Sequence, residues 1–307
     1  MNEPRPTVVR ERLAEHEAAA VSALVERARA ADGVSALNEQ ALLRLRDRDG
    51  RVRHVLGYDG EQLVAYAHLD QSRTGADVAA ECVVDPGHRW AGWASAVLRR
   101  ALAEAAEAPM LLWSHGDHPG AARLAERLGF RRVRDLWRLR RDLGSDAAPL
   151  PDVRLPTGVT VRSFVPGQDD DAWLALNARA FADHPEQGAM DSGDLAARLG
   201  SDWFDPAGFL LAERSGVHGA RLVGFHWTKA HPGEVGEVYV VGVDPYEQGS
   251  GLGTALTLVG LHHLAERGMG SVHLYVEADN APTVRIYERL GFAHVGTDTQ
   301  YRNPGSS

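Results

Sequence analysis

The stretch that decides the fold is Gly236-Glu237-Val238-Tyr239-Val240-Val241-Gly242-Val243-Asp244-Pro245. It continues as Tyr246-Glu247-Gln248-Gly249-Ser250-Gly251-Leu252-Gly253-Thr254 and an apolar run to Gly268. Alternating apolar residues from Val238 to Val243 predict a strand, and Asp-Pro ends it. The glycine-rich turn 248–254 opens an amphipathic helix over about 251–267. Strand, glycine turn and helix N-terminus together grip a pyrophosphate. First-turn amides lack an intrahelical acceptor, the helix dipole favours negative charge, and glycine lets phosphate approach the backbone. The spacing is not that of a dinucleotide fingerprint, and no Gly-Lys-Ser/Thr of a P-loop is present.

Working outward, the same pattern occurs earlier. Val84-Asp85-Pro86 with GHRWAGWASAVL precedes Val243-Asp244-Pro245 with YEQGSGLGTALT by 159 residues. LLWSHGDHPGAARLAERLGF, ending at Phe130, precedes HLYVEADNAPTVRIYERLGF, ending at Phe292, by 162. Leu112, Asp117, Arg123, Glu126 and the whole Arg-Leu-Gly-Phe recur. A period near 160 is a domain, not a solenoid unit. Small residues and prolines from Leu143 to Asp152 mark a linker. The expected division is an N-terminal domain over 1–145, a linker over 146–156 and a C-terminal domain over 157–307.

Periodicity predicts helices over 11–31, 92–107, 119–128, 169–182, 192–200 and 280–290, with Asn38 capping a short one. Strands are expected over 52–58, 61–70, 78–84, 110–114, 159–164, 208–214, 220–229, 235–243 and 271–276. More strand is expected up to 142 and after 290. This mixture is α+β. The alternating Arg131–Arg141 segment reads as a solvated strand face, Cys82 as a core residue, and the seven tryptophans as scattered.

Composition bounds the function. A net charge of −9 over 307 residues argues against nucleic acid as partner. One cysteine excludes an intramolecular disulfide and fits a cytoplasmic location. The segment MNEPRPTVVRERLAEHE has no signal-peptide core, and no apolar run approaches the ~20 residues of a membrane span. The 14 histidines show no metal-ligand spacing, so no metal is expected. A monomer is expected.

The run Val-Asp-Pro, Gln-x-x-Gly-x-Gly, helix, then Asn280, Tyr287 and Leu290-Gly291-Phe292 resembles the GNAT acetyltransferase superfamily. Arg89-x-x-Gly92-x-Ala94 and Leu128-Gly129-Phe130 extend the resemblance to the first half. It implies two tandem GNAT-like domains, each a mixed, mostly antiparallel sheet flanked by helices, with acetyl-CoA as co-substrate. In the family the turn Gln248, Gly249, Ser250, Gly251, Leu252, Gly253 and Thr254 holds the pyrophosphate. The backbone of Val241, Gly242 and Val243 bonds pantetheine and acetyl, and Asn280 and Arg285 also contact the cofactor. Cys82, Val83, Val84, Arg89 and Gly92 are the corresponding positions of the first half.

FADHPEQG, GFHWTKAHP, GEVYVVGVDP and LYVEADN are similar to tandem members that acetylate the cysteinyl amine of a cysteine–glucosamine–inositol conjugate. That similarity makes Glu39, Glu186, Lys229, Glu237 and Tyr275 acceptor contacts, and Lys229, Glu186 and Glu39 are expected to face one pocket between the halves. Glu237 becomes the base and Tyr287 the acid toward the CoA sulfur. Opposite them in the ungapped repeat stand Val78 and Ala125, so the first half is expected to bind without catalysing. An acetyltransferase for another amine, or an acetyl-CoA sensor without turnover, also fits the residues.

Overall fold

The computed structural model describes residues 5–46, 50–71, 77–106, 108–182, 187–216 and 219–305. It forms two compact units. The first comprises Met1–Trp137, Glu277–Asp279 and Gly296–Ser307; the second comprises Arg138–Val276 and Asn280–Val295.

In the first unit the strands are β1 (Thr7–Arg10), β2 (Val52–Asp59), β3 (Gln62–Asp70), β4 (Val78–Val84) and β5 (Met110–Ser114). The helices are α1 (Glu15–Asp32), α2 (Glu39–Leu43), α3 (Trp93–Glu104) and α4 (Pro119–Arg127). The sheet runs β1-β2-β3-β4-β5 with neighbours antiparallel except β4 and β5, which are parallel. On α1, Val21, Leu24, Val25 and Ala28 follow the helical period and are fully buried against Leu56, Tyr66 and Val83. Each such aliphatic side chain contributes ~2 kcal/mol. The other sheet face is covered by Trp93, Val97 and Leu98 of α3 and by Ala125 of α4. Asn38 caps α2 as expected, accepting from Ala41 N.

In the second unit, β6 (Arg131–Asp142) enters with its last five residues. It is followed by β7 (Val159–Ser163), α5 (Asp170–Ala180), α6 (Ser192–Leu199), β8 (Phe209–Gly216), β9 (Gly219–His231) and β10 (Val235–Val243). Then come α7 (Leu252–Glu266), β11 (Ser271–Glu277), α8 (Ala281–Arg289) and β12 (Ala293–Asn303). The order is β6-β11-β10-β9-β8-β7, with β10 and β11 parallel and β7 to β10 antiparallel. Trp173, Phe209, Phe225 and Trp227 fill the core, so these tryptophans are clustered rather than scattered.

Four further findings differ from the sequence reading. Strand β1, too short for a periodicity signal, precedes the first helix. From Gly296 on, the final strand β12 belongs with the first unit, where Thr299–Asn303 pair with Ser114–Met110 and Tyr301 is buried. The edge of β5 needs a partner for its N–H and C=O groups, and a sequence period cannot say which strand supplies it. Segment Arg131–Arg141 is not a simple solvated face. Arg141 is buried and donates to the carbonyls of Leu290, Ala148 and Pro149, holding the C-terminal end of α8. Finally, β10 carries a bulge between Val238 and Val240 that β4 lacks. Glu237 pairs with Lys229 and His273, whereas Ala79 pairs with Asp70 and Leu111. The counterpart of Glu237 is therefore Ala79, not Val78; one bulged residue shifts the ungapped alignment by one.

Candidate active site

The glycine turn is built twice with one geometry. Asp244 N donates to Val223 O, and its carboxylate accepts from Tyr246 N at 3.1 Å and Arg179 Nη2 at 3.1 Å. Asp85 N donates to Val64 O, and its carboxylate accepts from Gly87 N at 3.0 Å and Arg27 Nε at 2.7 Å. Gly251 and Gly92 then cap α7 and α3 at φ 84° and 88°, a region that favours glycine. The first intrahelical amide bond of α7 is Ala255 N to Gly251 O at 3.1 Å; that of α3 is Ala96 N to Gly92 O at 3.1 Å. The amides of Gly253 and Thr254 precede that bond, so they lie in the first helical turn, where backbone N–H groups have no intrahelical acceptor.

Next to this turn the sheet opens. β10 and β11 pair only from Val235/Ser271 to Glu237/His273. Beyond Glu237, residues Val238–Val243 stay paired with β9 on the other side. A strand edge so exposed can hydrogen-bond an extended ligand such as pantetheine. Val241 and Val243 are half-buried and Gly242 is buried along it.

Glu237 sits where the two strands part. Directly paired residues share a sheet face, and so do residues two apart. His231, Lys229, Glu237 and His273 therefore lie on one face. His231 Nε2 and Glu237 Oε2 are 2.5 Å apart, and His273 Nε2 lies 3.6 Å from the same oxygen. The two imidazoles stack at 5.2 Å between centroids. Burial favours the neutral acid, but the hydrogen bonds and charge of the two histidines outweigh it and hold Glu237 at a pKa of about 2. Glu237 is thus an anion that attracts an ammonium. A carboxylate held this far below an amine relays the amine's proton and does not keep it. Among the described residues, these three side chains are also a group whose donor atoms could hold a metal ion.

Tyr287 is buried on α8, its ring edge-on to Phe292 at 5.6 Å. Burial raises its phenol to about 12, so it stays protonated and able to donate at neutral pH.

The chain matches the Acetyltransferase (GNAT) family over residues 18–130 and again over 173–292. It is 51% identical to a mycothiol acetyltransferase of Thermomonospora curvata over 300 residues, 98% of each chain. It is 52% identical to one of Thermobispora bispora over 290 residues, covering 92% of this chain and 95% of that one. The chain belongs to the mycothiol acetyltransferases of the GNAT family. A tandem GNAT protein from the clavulanic acid biosynthesis pathway shares the fold at a TM-score of 0.75 and 16% identity, covering 98% and 99% of the two chains. A GCN5-related N-acetyltransferase from Sphaerobacter thermophilus matches at a TM-score of 0.67 and 26% identity, covering 98% and 97%. The expected tandem α+β architecture is what these matches show.

The remaining GNAT positions sort as follows. Lys229 is buried, not a surface lysine; its Nζ lies 4.3 Å over the Trp203 ring and 5.2 Å over Tyr239. Tyr275 is exposed and meets His273 edge-on at 5.7 Å. Asn280 caps α8, accepting from Thr283 N at 3.2 Å, and Arg285 is exposed on that helix. Glu39 is half-buried at the first turn of α2. Glu186 lies outside the described residues.

The first GNAT unit holds a cavity of about 490 Å³ lined by Cys82, Val83, Val84, Arg89 and Gly92. Trp90, Trp93 and Trp113 also line it. Arg89 is engaged with Asp32 through two bonds of 2.6 and 2.7 Å. Burial raises the Cys82 thiol to about 12, which leaves it unreactive. One cluster had no signal in sequence. His115 Nδ1 bonds Asp298 at 2.7 Å and its Nε2 bonds Glu81 at 3.2 Å. Burial opposes charge on His115, yet the two carboxylates raise it to about 10. Asp298 comes from β12, 183 residues along, beyond any local pattern.

Proposed function

We propose that this chain transfers acetyl from acetyl-CoA to the cysteinyl amine of a cysteine–glucosamine–inositol conjugate, the step that completes mycothiol. The observation that carries the chemistry is Glu237, fixed by two histidines where β10 and β11 part. The turn 248–254 and the open edge of β10 suit the pyrophosphate and pantetheine of acetyl-CoA. The acceptor arrives as an ammonium, attracted by the Glu237 carboxylate. Its proton leaves toward Glu237, directly or through water. The freed amine attacks the thioester carbonyl; a C–N bond forms, the C–S bond breaks, the hydroxyl of Tyr287 gives its proton to the departing sulfur, and the second proton lost by the amide nitrogen restores the phenol. Transfer is direct, since among the described residues no thiol or activated serine stands at the site.

Lys229, Tyr275, Glu39 and Glu186 are proposed acceptor contacts, suited to hydroxyls and to an ammonium. The first unit's cavity is proposed to hold a second acetyl-CoA without turnover, because Ala79 and Ala125 replace the two proton-transfer groups. The chain is proposed to act as a cytoplasmic monomer. The deciding assay incubates the full chain with acetyl-CoA and a panel of amines and follows free thiol release. Turnover only with the cysteinyl conjugate supports the reading. Faster turnover on an unrelated amine, or binding with no turnover on any, overturns it.

A further inference from the structure

The three strands β9, β10 and β11 place His231, Glu237 and His273 on one sheet face by register alone. Each offers one donor atom, and the three donors lie within 4.8 Å of one another. We propose that His231, Glu237 and His273 form a binding site for a divalent transition-metal ion of the zinc class, whose occupancy switches acetyl transfer off.

The donor set is two imidazole nitrogens and one carboxylate oxygen. Three protein ligands with a remaining open position is the pattern of accessible zinc sites, as distinct from closed structural ones. Imidazole donors select zinc, nickel or copper over magnesium and calcium. The geometry needs little adjustment. A tetrahedral ion with ligand bonds of ~2.0–2.2 Å wants its donor atoms ~3.3 Å apart. The His273–Glu237 separation of 3.6 Å is close to that. The His231–Glu237 separation of 2.5 Å must open by under ~1 Å. The side chain of His231 is 31% exposed, that of His273 18% and that of Glu237 12%, so an ion has a route in. Lys229, across from Glu237, carries its ammonium over the faces of Trp203 and Tyr239.

The sister unit shows what a strand triple without this role carries. Its residues in the places of Glu237 and His273 are Ala79 and Leu111, neither with a ligand atom. An ion at the second-unit cluster takes the lone pairs of Glu237 and of the imidazole beside it. The carboxylate can then no longer draw the proton of the acceptor amine. The inhibitory part rests on the role given to Glu237 above; the binding part does not.

The test titrates the full-length, metal-free protein with Zn²⁺ against a chromogenic chelator, without acetyl-CoA or acceptor. One ion per chain with a Kd in the ~µM range or tighter is expected, with Mg²⁺ unable to compete. His273→Leu and, separately, His231→Asn are each expected to weaken binding ~100-fold or more, with circular dichroism confirming the fold. No such binding in the wild type overturns the site. Unchanged binding in either folded variant overturns it too, placing the ion elsewhere. Turnover is then followed by thioester absorbance at buffered zinc, with chelator added back. Loss and recovery of turnover at the binding Kd support the whole proposal. One ion bound with turnover unchanged supports the site but overturns the role given to Glu237.

Discussion

The two GNAT units contain opposite versions of one motif. In the first, a single imidazole, His115, lies between two carboxylates, Glu81 and Asp298. In the second, a single carboxylate, Glu237, lies between two imidazoles, His231 and His273. The majority partner wins in each case. His115 rises to about 10 and Glu237 falls to about 2. The first cluster is sealed, with its side chains at most 11% exposed, and it fastens β12 to the sheet. The second is more open and lies where its sheet parts. The difference teaches that a perturbed histidine–carboxylate pair is not by itself a catalytic sign. Access, and a ligand-ready strand edge beside it, make the distinction.

The largest effect that breaks this comparison is at Glu237. Glu237→Gln keeps the shape, removes the anion and is expected to lower turnover ~10²–10⁴-fold at neutral pH. The deficit shrinks as pH rises, because the acceptor amine then deprotonates unaided. A pH–rate profile checks it; a deficit constant from pH 6 to 10 removes Glu237 from proton transfer.

Tyr287→Phe follows, with a loss in turnover of ~10²-fold and little change in acetyl-CoA affinity. Since burial holds the phenol near 12, the loss is expected to be uniform across the neutral range. Steady-state kinetics at several pH values would show whether the hydroxyl donates or Tyr287 merely packs against Phe292.

Gly253→Val tests the turn. A Cβ at Gly253 meets nothing closer than Val243 Cγ2 at 3.6 Å, so the fold tolerates it. A phosphate approaching the helix amides does not. The expected result is a Michaelis constant for acetyl-CoA raised ~10-fold or more, with an unchanged melting temperature. Unaltered acetyl-CoA kinetics would take the turn out of the site.

Much of this was legible in sequence, and the failures have physical causes. The turn, its helix and the strand before it follow from local chemistry, and β4 and β5 stand out as short apolar runs ended by Asp85-Pro86 and by His115-Gly116. The repeat exposed the architecture, since Val-Asp-Pro must rebuild the same capped turn each time. The bulge at Tyr239 was invisible, because an extra residue in one strand is defined only against its partner. The ligands of His115 and Glu237 were invisible for the same reason: strand register sets them, not spacing along the chain. The exchange of β12 depends on which sheet edge needs covering.

His115→Leu carries the comparison into stability. It leaves Glu81 and Asp298 buried without their cation and is expected to cost the first unit ~3 kcal/mol. The sign for the wild type follows from the raised value. The stabilisation by charged His115 is complete below an unfolded histidine's pKa, ~6.5, and is lost as pH rises through about 10. Urea midpoints at pH 7 and pH 10 should differ more in the wild type than in the variant. Equal differences would show that the imidazole packs there without charge.

The smallest expected effect on turnover comes from filling the first unit's cavity. Gly92 is a poor handle, because its φ of 88° makes any side chain strained whatever the space. Ser95 is better. It lies on α3, is half-buried and lines the same cavity. Ser95→Trp places an indole there while the backbone stays helical. The first unit has Ala79 and Ala125 where the other unit has Glu237 and Tyr287, so an acetyl-CoA held in its cavity has nothing to draw a proton from an amine. Turnover is therefore expected to stay within a few-fold of the wild type. Equilibrium dialysis with labelled acetyl-CoA should at the same time lose its second equivalent per chain. A collapse of turnover in a correctly folded Ser95→Trp protein would mean that the first unit takes part in the reaction. The asymmetry between the two clusters would then have to be explained by something other than a division between structure and chemistry.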